Sequence, residues 1–582
     1  MNRNYVTQPM SLVRSRLSQY SKAVSEAFQN RSENYFGHLI YSIIISLCYT
    51  IIYNLAYYSI IYSNTSYSIF SSVINAFFQI LPLIYILSFN RKIYSCIFVF
   101  IILTSTVMLY YSYKIGVVHN VELLSLIYET NIHEIKGLIS RNLVLLTIIS
   151  LPLTILVCGL TPKAHLLYKK SVATIIIMLS IVPLAYQTLH ETSVASKIRD
   201  HPLTGNFAMP YGYLQAFIRA TRQHIRIKSY LGRRAVYTGR AEAAPHGKPL
   251  YIVLALGESQ RADHLPVFGY ARNTMPKLSR EDLYIFPPAF SMYNLTTRSV
   301  LGMLTQATIA APDLFETGPS VLTVFRQAGF RTVWLTNQGS MSSGGSSVRA
   351  ISEAADYFEL SANLYQASAK LVDTDMLPML DRALDVPEQD TLIVLHTYGS
   401  HFNYDDRYHD ESRVFTPICA ENFLECPLDR LINSYDNSLV STDAYLAELI
   451  RRLRSKNAVL FMTSDHGSVL EENRRGQATG NPGMSYPPSR MVPFMLWFSP
   501  EFERRDLVAI LEANLDKRVS HDMIFHSLLG AADISAPILE EELNIFSPAL
   551  RPHQDPYISE ETAREYAERR GNGRPAHPAL PQ

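Results

Sequence analysis

The segment Val459–Gly467, VLFMTSDHG, marks the point at which a run of apolar residues gives way to side chains that bind metals. A short apolar run that ends in Thr463, Ser464 and Asp465 is typical of a buried strand whose carboxyl end faces a cleft. Asp465 and His466 are therefore candidate metal ligands. The alternative is an ordinary turn, because Asp and Gly favour turns and a single His is often only a satisfied polar residue. The choice between the two depends on the rest of the chain.

Length and charge limit the classes of protein to which the chain can belong. Its 582 residues are too many for one ordinary domain. Residues 36–189 are very apolar, whereas residues 225–582 have the composition of a soluble protein. The formal net charge of +1 argues against a nucleic-acid binder, which usually has a basic excess. The chain therefore combines an apolar part with a soluble part, and no nucleic-acid partner is expected.

The apolar part contains five stretches, each close to the roughly twenty residues needed to cross a bilayer. They are residues 37–61, 67–89, 93–113, 142–160 and 171–190. Residues 1–36 before them are polar and mildly basic, which is not the pattern of a cleavable signal peptide. We therefore expect a cytoplasmic N-terminal segment, 1–36, and a transmembrane domain with five helices, 37–190.

Basic residues in the short loops set the orientation, because Lys and Arg stay on the cytoplasmic side. They separate the second span from the third and the fourth from the fifth: Arg91, Lys92, Lys163, Lys169 and Lys170. This pattern puts the N-terminus inside the cell and everything after residue 190 outside, which in a Gram-negative cell is the periplasm beyond the inner membrane. Cys419 and Cys426 lie close together in a polar loop of that outer part, where an oxidising compartment favours a disulfide.

Two further segments adjoin the spans. The outward loop 113–141 includes an amphipathic helical pattern, and we expect that helix to lie along the membrane surface. Residues 191–248 form a periplasmic connector that is rich in Lys and Arg, with interleaved aromatic residues. The connector is either a solvated linker or a surface helix that binds anionic headgroups.

From Pro249 onward, short apolar runs alternate with helical segments. The expected strands are 251–256, 332–335, 391–395, 458–462 and 493–498, and residues 434–454 are expected to form an amphipathic helix. Such alternation is typical of an α/β domain with a mostly parallel sheet covered by helices, which we place at 249–548. Functional sites in this architecture lie outside the carboxyl ends of the strands. The polar and charged residues 549–582 are expected to be a flexible tail.

Three polar clusters follow predicted strands at these ends. They are Glu258 after the first strand, His396 and His401 after the third, and Asp465 with His466 after the fourth. A mixture of Asp, Glu and His suits zinc. A catalytic zinc site also needs a nucleophile, and the segment 293–299, YNLTTRS, offers hydroxyl groups on Thr296, Thr297 and Ser299.

Six motifs resemble, in order, those of the phosphoethanolamine transferases. They are GESQRADHLPVFGYARNTMPKL (257–278), NLTTRSVLGMLT (294–305), HTYGSHFNYDDRY (396–408), YDNSLVSTD (435–443), SDHG (464–467) and SHDMIFHSLLG (520–530). Members of that family join a five-span membrane domain to a periplasmic α/β domain of alkaline phosphatase/sulfatase type. The resemblance covers nearly the whole chain, from residue 37 to about residue 548.

The resemblance implies a set of metal ligands and a nucleophile. The zinc ligands that it implies, for one ion or two, are Glu258, Thr296, Asp465 and His466. Thr296 is also the implied nucleophile. It is preferred to Thr297 because Ser299 and Val300 then fall at the family's spacing after the nucleophile.

The same resemblance implies residues that bind the substrate. His401 matches a catalytic His near the substrate phosphate. The implied substrate-binding residues are Asn337 and Gln338 in a polar loop, His396, and, facing the lipid headgroup in the membrane domain, Thr130 and Glu134. His521 and His526 match as well, and we interpret both as packing groups or as supports behind the ligands.

The implied reaction is the transfer of phosphoethanolamine from phosphatidylethanolamine to a lipopolysaccharide acceptor, a core sugar or lipid A, by a zinc-dependent membrane-bound monomer. A covalent phosphoethanolamine on Thr296 divides this reaction into two displacements. Two alternatives remain: a membrane-anchored phosphodiesterase or glycerophosphate transferase of the same superfamily, and a catalytically inactive membrane scaffold. The C/S-x-P-x-R context that sulfatases need is absent at residues 296–300, which argues against a sulfatase.

The chain departs from the family's pattern at three places. Position 478 is Ala where the family often has a His, and Leu126 replaces an Asn of the headgroup motif. Only one of the several disulfides of the lipid A enzymes remains, and Met292 and Gly302 stand where another would bracket the nucleophile. The missing disulfides therefore favour a core-sugar acceptor at least as much as lipid A.

Overall fold

The structure is a computed structural model that describes most of the chain. The described residues are 35–61, 69–88, 90–115, 121–128, 130, 135, 137–161, 208–231, 239–312, 314, 318–338, 347–361, 370–386, 389–419, 422–470 and 486–571. They form two compact units. We name them after the domains that the sequence predicts: the membrane unit takes the described residues up to 124 and from 140 to 218, and the catalytic unit takes the others.

Helices dominate the first part of the chain. They are α1 Tyr35–Tyr49, α2 Ala56–Ile61, α3 Ile69–Leu87, α4 Arg91–Ile115, α5 Val121–Ser125, α6 Arg141–Gly159 and α7 Tyr211–Leu231. A π-helical stretch, Thr50–Leu55, joins α1 to α2. Long apolar runs with few charges favour α1, α3, α4 and α6, because a helix satisfies its backbone polar groups within the segment.

The number of membrane spans is confirmed only in part. Within the described ranges, three helical segments are long and apolar enough to cross a membrane: Leu39–Ile60, Arg91–Lys114 and Arg141–Gly159. A shorter apolar helix, Ser72–Leu87, lies at the second predicted span. The fifth predicted span, 171–190, lies outside the described residues.

Hydroxyl groups pair between helices inside the membrane unit. The hydroxyl of Tyr49 lies 2.5 Å from Oγ of Ser105, and the hydroxyl of Tyr53 lies 2.9 Å from Oγ1 of Thr106. Polar groups in an apolar surrounding need partners within the protein. These bonds therefore tie the first helical segment to α4.

Two segments near the spans differ from simple linkers. Where the sequence predicts an amphipathic helix in loop 113–141, the structure has the short helix α5 followed by a 3-10 turn, Leu126–Tyr128. The described residues among 125–139 belong to the catalytic unit. The predicted connector 191–248 contains α7, which has apolar and basic residues interleaved. The connector therefore contains a helix, and Tyr213, Ala216 and Ala220 of that helix are buried. Binding to anionic headgroups stays a prediction, and residues 191–207 and 232–238 lie outside the described residues.

The catalytic unit alternates strands with helices. Its strands are β1 Glu242–Ala243, β2 Leu250–Gly257, β3 Tyr284–Ile285, β4 Ala289–Phe290, β5 Arg331–Thr336, β6 Tyr357–Leu360, β7 Thr391–His396, β8 Asn457–Ser464, β9 Met491–Val492, β10 Phe494–Phe498 and β11 Ile534–Ser535. Its helices are α8 Thr296–Met303, α9 Val321–Gln327, α10 Ser347–Ser352, α11 Leu377–Leu384, α12 Leu428–Leu453, α13 Pro487–Arg490, α14 Arg505–Asn514, α15 Ile524–Ala531 and α16 Glu560–Gly571.

The main sheet has seven strands in the order β3-β10-β8-β2-β7-β5-β6. The five strands from β8 to β6 are parallel, and β10 runs antiparallel to β8. Side chains of β2 alternate between two apolar cores: Ile252 and Leu254 face one, and Tyr251 and Val253 face the other. Because both faces are covered, β2 is buried along its whole length. The predicted α/β domain with a mostly parallel sheet is therefore confirmed.

The strand register brings the candidate ligands to one edge. On β2, Leu256 lies opposite His396 of β7, and Gly257 lies opposite Ser464 of β8. Residues that directly follow parallel strands therefore emerge side by side. This register places Glu258 beside the segment that begins at Asp465.

The C-terminal segment differs from the flexible tail that the sequence predicts. Asp555 is buried and lies 2.6 Å from the buried guanidinium of Arg490. Two apolar side chains, Ile558 and Ala563, are buried in a small cluster on the catalytic unit. The polar composition of the segment predicted that it would be solvated and flexible. The ion pair and the apolar cluster instead hold it against the catalytic unit. The correction applies to residues 549–571, where the described part of the chain ends.

Candidate active site

Four predicted site residues meet at the carboxyl edge of the sheet. Glu258 directly follows β2, Asp465 and His466 directly follow β8, and Thr296 is the first residue of α8. The backbone N–H of Asp465 donates to the carbonyl of Gly257 at 3.0 Å, which holds the two strand ends together. Ligand atoms of Glu258, Asp465 and His466 all lie within 4.8 Å of one another.

The nucleophile candidate lies in contact with this group. Thr296 Oγ1 donates to Oε2 of Glu258 at 3.0 Å and lies 3.2 Å from Nε2 of His466. That Nε2 atom is also 3.4 Å from Oδ2 of Asp465 and 3.4 Å from Oε1 of Glu258. Four side chains from three separate parts of the sequence therefore point their polar atoms at one small volume.

Backbone contacts fix the orientation of the two residues after β8. Nδ1 of His466 lies 2.7 Å from the carbonyl of Gly467, so this nitrogen donates and Nε2 keeps its lone pair for the site. Oδ1 of Asp465 accepts from the backbone N–H groups of Ser259 and His466, at 2.9 and 2.7 Å. Oδ2 of Asp465 is buried and has no hydrogen-bond partner among the described residues.

This donor set fits a divalent metal ion such as zinc. Two carboxylates, an imidazole and a hydroxyl are hard or borderline ligands, and the unpartnered Oδ2 of Asp465 is a buried acceptor that a cation would satisfy. Burial raises the pKa of Glu258 well above its usual value, and the negative charge of Asp465 raises it further. A bound cation would oppose this effect and favour the ionised form of Glu258.

A polar loop after β5 braces Glu258. Nε2 of Gln338 donates to Oε2 of Glu258 at 2.7 Å, and Nδ2 of Asn337 donates to Oδ1 of Asp373 at 3.1 Å. The same Asp373 oxygen accepts the backbone N–H groups of Tyr398 and Gly399, at 3.0 and 3.2 Å. Asp373 thus connects the two loops that flank Glu258, and sequence reasoning missed it because its motif, VDTD, has no recognisable signature.

Gly399 allows the loop after β7 to approach Glu258. Its φ is +47°, and a Cβ atom at this position would lie 2.7 Å from the backbone nitrogen of Glu258. The carbonyl of Glu258 also accepts the N–H of Ser400 at 2.8 Å. A residue with a side chain would therefore push these two segments apart.

The two predicted histidines at the end of β7 and in the loop after it, His396 and His401, have different surroundings. His401 packs against Phe402, with ring centroids 4.2 Å apart, and burial together with the charge of Arg407 lowers its pKa well below the usual value. Arg407 donates to the carbonyl groups of His401 and Phe402. His396 is buried against Trp334, and burial lowers its pKa to about 4. His396 is thus packed into the core of the catalytic unit, at the carboxyl end of the sheet.

The remaining predicted residues are placed as follows. Thr130 is half-buried in the catalytic unit, whereas Glu134 lies outside the described residues. Cys419 and Cys426 form a disulfide. Ala478, where the family's further His would stand, also lies outside the described residues.

His521 supports the nucleophile segment from behind. Its Nε2 lies 3.0 Å from the carbonyl of Ser464, and its Nδ1 accepts the N–H of Met292 at 3.3 Å and lies 2.9 Å from Oγ of Ser299. Because a carbonyl only accepts, Nε2 donates and Nδ1 is the acceptor. The His521 ring therefore connects the end of β8 to both sides of Thr296.

Met292 and Gly302, which stand where a disulfide would bracket the nucleophile in related enzymes, pack directly together. A Cβ atom on Gly302 would lie 2.4 Å from Sδ of Met292. The thioether of Met292 thus packs against α8 at Gly302. This apolar contact holds Met292 and Gly302, which lie on either side of Thr296 in the sequence, close together.

The fold and the site define the class of protein. Residues 251–534 match the sulfatase family, and the mostly parallel sheet presents its polar cluster at the strand ends as that match requires. This match covers most of the catalytic unit, which is therefore similar to the sulfatases. Residues 77–225 match the family described as phosphoethanolamine transferase EptA/EptB. The chain is thus similar to the phosphoethanolamine transferases in residues 77–225 and to the sulfatases in residues 251–534.

Known relatives agree with this family. The chain is 29% identical over 306 residues to Kdo(2)-lipid A phosphoethanolamine 7''-transferase of Salmonella typhimurium, which covers 51% of this chain and 54% of the relative. It is 29% identical over 313 residues to phosphoethanolamine transferase EptA of the same organism, covering 51% and 56%. The chain thus spans about half the length of the curated relatives it matches.

One solved structure resembles nearly the whole chain. The integral membrane protein lipooligosaccharide phosphoethanolamine transferase A (EptA) from Neisseria meningitidis superposes with a TM-score of 0.74 at 21% identity, covering 87% of this chain and 98% of that one. This likeness shows a common fold.

Proposed function

We propose that this chain transfers phosphoethanolamine from phosphatidylethanolamine to a lipopolysaccharide acceptor, a core sugar or lipid A, through a covalent phosphoethanolamine on Thr296. The observation that carries the proposal is the position of Thr296 Oγ1, 3.0 Å from Glu258 and 3.2 Å from His466 at the start of α8. The names of the relatives, which are phosphoethanolamine transferases of lipid A and lipooligosaccharide, support the transferred group and the class of acceptor.

Glu258, Thr296, Asp465 and His466 would hold one zinc ion. When bound, zinc lowers the pKa of a hydroxyl ligand and neutralises charge on phosphoryl oxygens. The unpartnered Oδ2 of Asp465 and the free lone pair of His466 Nε2 supply two of the donors that such an ion needs.

In the first displacement, Thr296 Oγ1 forms a bond to phosphorus while the bond between phosphorus and the diacylglycerol oxygen breaks. The diacylglycerol oxygen takes up a proton and leaves, and the proton of Thr296 is lost. α8 begins at Thr296, and its preceding residue, Leu295, provides no side-chain cap, so backbone N–H groups of the first turn remain available to negative charge. The helix N-terminus therefore favours the phosphorylated form of Thr296.

In the second displacement, an acceptor oxygen on a sugar or a sugar phosphate attacks the same phosphorus. The bond to Thr296 breaks, Thr296 regains a proton, and the acceptor keeps phosphoethanolamine. His401, held by Arg407 through two backbone carbonyl groups, is the proposed contact for the phosphate oxygens. Two displacements at one Thr predict ping-pong kinetics.

A lipid donor matches the first part of the chain. The described residues include three helices that are long and apolar enough to cross a membrane. A chain with such helices is anchored in a membrane, and the loop charges predict that its soluble part faces the periplasm. Membrane anchoring supports a lipid such as phosphatidylethanolamine as the donor.

The test uses the purified full chain in detergent with a labelled lipid donor and lipopolysaccharide. Thr296→Ala is expected to abolish transfer, whereas Thr297→Ala, at the next position, should keep most of it. With donor alone, mass spectrometry should find one phosphoethanolamine on the peptide that contains Thr296. Full activity of Thr296→Ala would contradict the assignment of Thr296 as the nucleophile.

The same assay separates the alternatives. Release of free phosphoethanolamine without any gain on the acceptor would identify a phosphodiesterase, and absence of turnover in the wild-type chain would favour the inactive scaffold. Mass spectrometry of lipopolysaccharide from cells with and without this gene then shows which sugar or phosphate gains the group.

A further inference from the structure

The buried ion pair between Arg490 and Asp555 connects the C-terminal segment to the segment that leads to Thr296. Nη1 and Nη2 of Arg490 donate to the two carboxylate oxygens of Asp555 at 2.8 and 2.6 Å. Both side chains are fully buried. Two parallel hydrogen bonds of this kind fix the guanidinium plane as well as its position.

The same guanidinium holds the backbone near the nucleophile. Nε and Nη2 of Arg490 donate to the carbonyl of Ser291 at 3.0 and 2.7 Å, and the backbone N–H of Ser291 donates to the carbonyl of Arg490 at 2.7 Å. Ser291 follows β4, which pairs with β9 directly after Arg490. Arg490 therefore holds Ser291, which lies five residues before Thr296 in the sequence.

A second route leads from Arg490 to the metal-ligand segment. The N–H of Gly467 donates to the carbonyl of Ser489, which precedes Arg490, at 3.0 Å. A Cβ atom on Gly467 would lie 2.0 Å from the carbonyl oxygen of Pro488, so the two backbones are in direct contact. His466, in turn, is oriented by the carbonyl of Gly467. One turn of chain thus supports both Thr296 and His466.

We propose that Asp555 is a positioning residue for the catalytic centre: through Arg490, the C-terminal segment 549–571 fixes the distance between Thr296 and His466. This proposal rests on the proposed function, because it assigns the segment a role in that reaction. Without Asp555, Arg490 would keep its charge but lose the two bonds that set its plane. The Ser291 carbonyl and the turn before Arg490 would then be free to shift independently.

The experiment compares variants of the full chain in detergent. Asp555→Asn leaves the charge of Arg490 buried without its partner, which lowers both the melting temperature and kcat. The double variant Arg490→Met with Asp555→Leu removes both charges and keeps the volume filled, which is often nearly neutral for stability. The double variant also removes the two donors to the Ser291 carbonyl, so we expect it to melt somewhat below the wild type but above Asp555→Asn. We expect it to lose about 10- to 100-fold in kcat, because small misplacement of reacting groups is costly. KM for the lipid donor should stay within about twofold, since no donor contact is removed.

Zinc binding gives a readout that does not depend on turnover. Competition with a chelator should show weaker zinc binding in the double variant, because His466 and Thr296 are no longer held at a fixed separation. Arg551→Gln is the matched control, since Arg551 lies in the same C-terminal segment and forms an exposed ion pair with Glu542. This variant should change neither kcat nor zinc affinity.

The outcomes separate the two proposals. Wild-type kcat and zinc affinity in the double variant would overturn the role of Asp555 while leaving the transferase intact. If the wild-type chain shows no transfer, the proposed function fails, and zinc affinity alone decides the positioning role. Should the double variant not fold, Arg490→Lys decides in its place: it keeps the charge beside Asp555, and kcat lost at an unchanged melting temperature supports the proposal, whereas unchanged kcat overturns it.

Discussion

Gln338 donates from Nε2 to Oε2 of Glu258 at 2.7 Å, and both side chains are buried. The other carboxylate oxygen accepts the hydroxyl of Ser259 at 2.6 Å, and Thr296 reaches Oε2 from the open side. Glu258 is therefore held in one rotamer by neutral donors on both oxygens. A ligand carboxylate that is already oriented loses little freedom when it binds a cation.

Replacing Gln338 should weaken metal binding. Gln338→Leu removes the donor while it keeps most of the volume, and partners of this kind are typically worth about 10- to 100-fold in metal affinity. Zinc affinity measured by chelator competition should fall by that amount, and zinc-dependent thermal stabilisation should shrink with it. Gln389→Ala, an exposed Gln of the same unit, is the control. Equal zinc affinities of the wild type and Gln338→Leu would contradict the bracing role of Gln338.

The sequence predicted the parts of the fold that follow from local pattern. Apolar runs gave five of the seven main-sheet strands, and the rule that sites lie at carboxyl ends of parallel strands placed Glu258 near Asp465. The edge strand β6 was missed because Tyr357–Leu360 is short and only half-buried. No local pattern could have shown that Asp373 joins two loops, since its partners lie up to 36 residues away. The pair of Arg490 with Asp555 was missed for the same reason.

Gly467 should tolerate no side chain, whereas Gly302 should. In Gly467→Ala the new Cβ would meet the backbone carbonyl of Pro488 at 2.0 Å, so the turn after His466 must move, at a cost of about 2–4 kcal/mol in the free energy of unfolding. In Gly302→Ala the obstacle is the flexible end of Met292, and Ala favours the helix by up to about 1 kcal/mol. Thermal unfolding of both variants checks the contrast. A Gly467→Ala chain as stable as Gly302→Ala would argue against the tight turn.

The disulfide loop should stabilise the catalytic unit. The bond between Cys419 and Cys426 closes a short loop with a sequence separation of 7, which corresponds to about 2–3 kcal/mol on a chain-entropy basis. Within this loop Asn422 donates to the backbone carbonyl of Gly137 at 2.6 Å. Replacing both cysteines by Ser should therefore lower the melting temperature in the absence of reductant. Reductant should lower the melting temperature of the wild type and leave that of the variant unchanged; a wild type insensitive to complete reduction would contradict the prediction.

His526 should make the stability of the catalytic unit depend on pH. Its Nδ1 accepts the backbone N–H of Glu540 at 3.0 Å, and burial lowers its pKa from 6.5 to about 4. The unfolded chain therefore binds a proton below pH 6.5 that the folded chain does not bind until about pH 4. The contribution of neutral His526 to the free energy of unfolding is therefore fully present above pH 6.5. It falls by up to about 3 kcal/mol between pH 6.5 and pH 4.

His526→Asn isolates this effect, because the amide oxygen can still accept the N–H of Glu540 but does not titrate. Unfolding by denaturant at a series of pH values should show a smaller loss of stability for the variant than for the wild type between pH 6.5 and pH 4. His409→Asn, at an exposed position, should follow the wild type. Parallel curves for the wild type and His526→Asn would mean that His526 is protonated equally in the folded and unfolded chains, and its burial would then not control the acid stability of the catalytic unit.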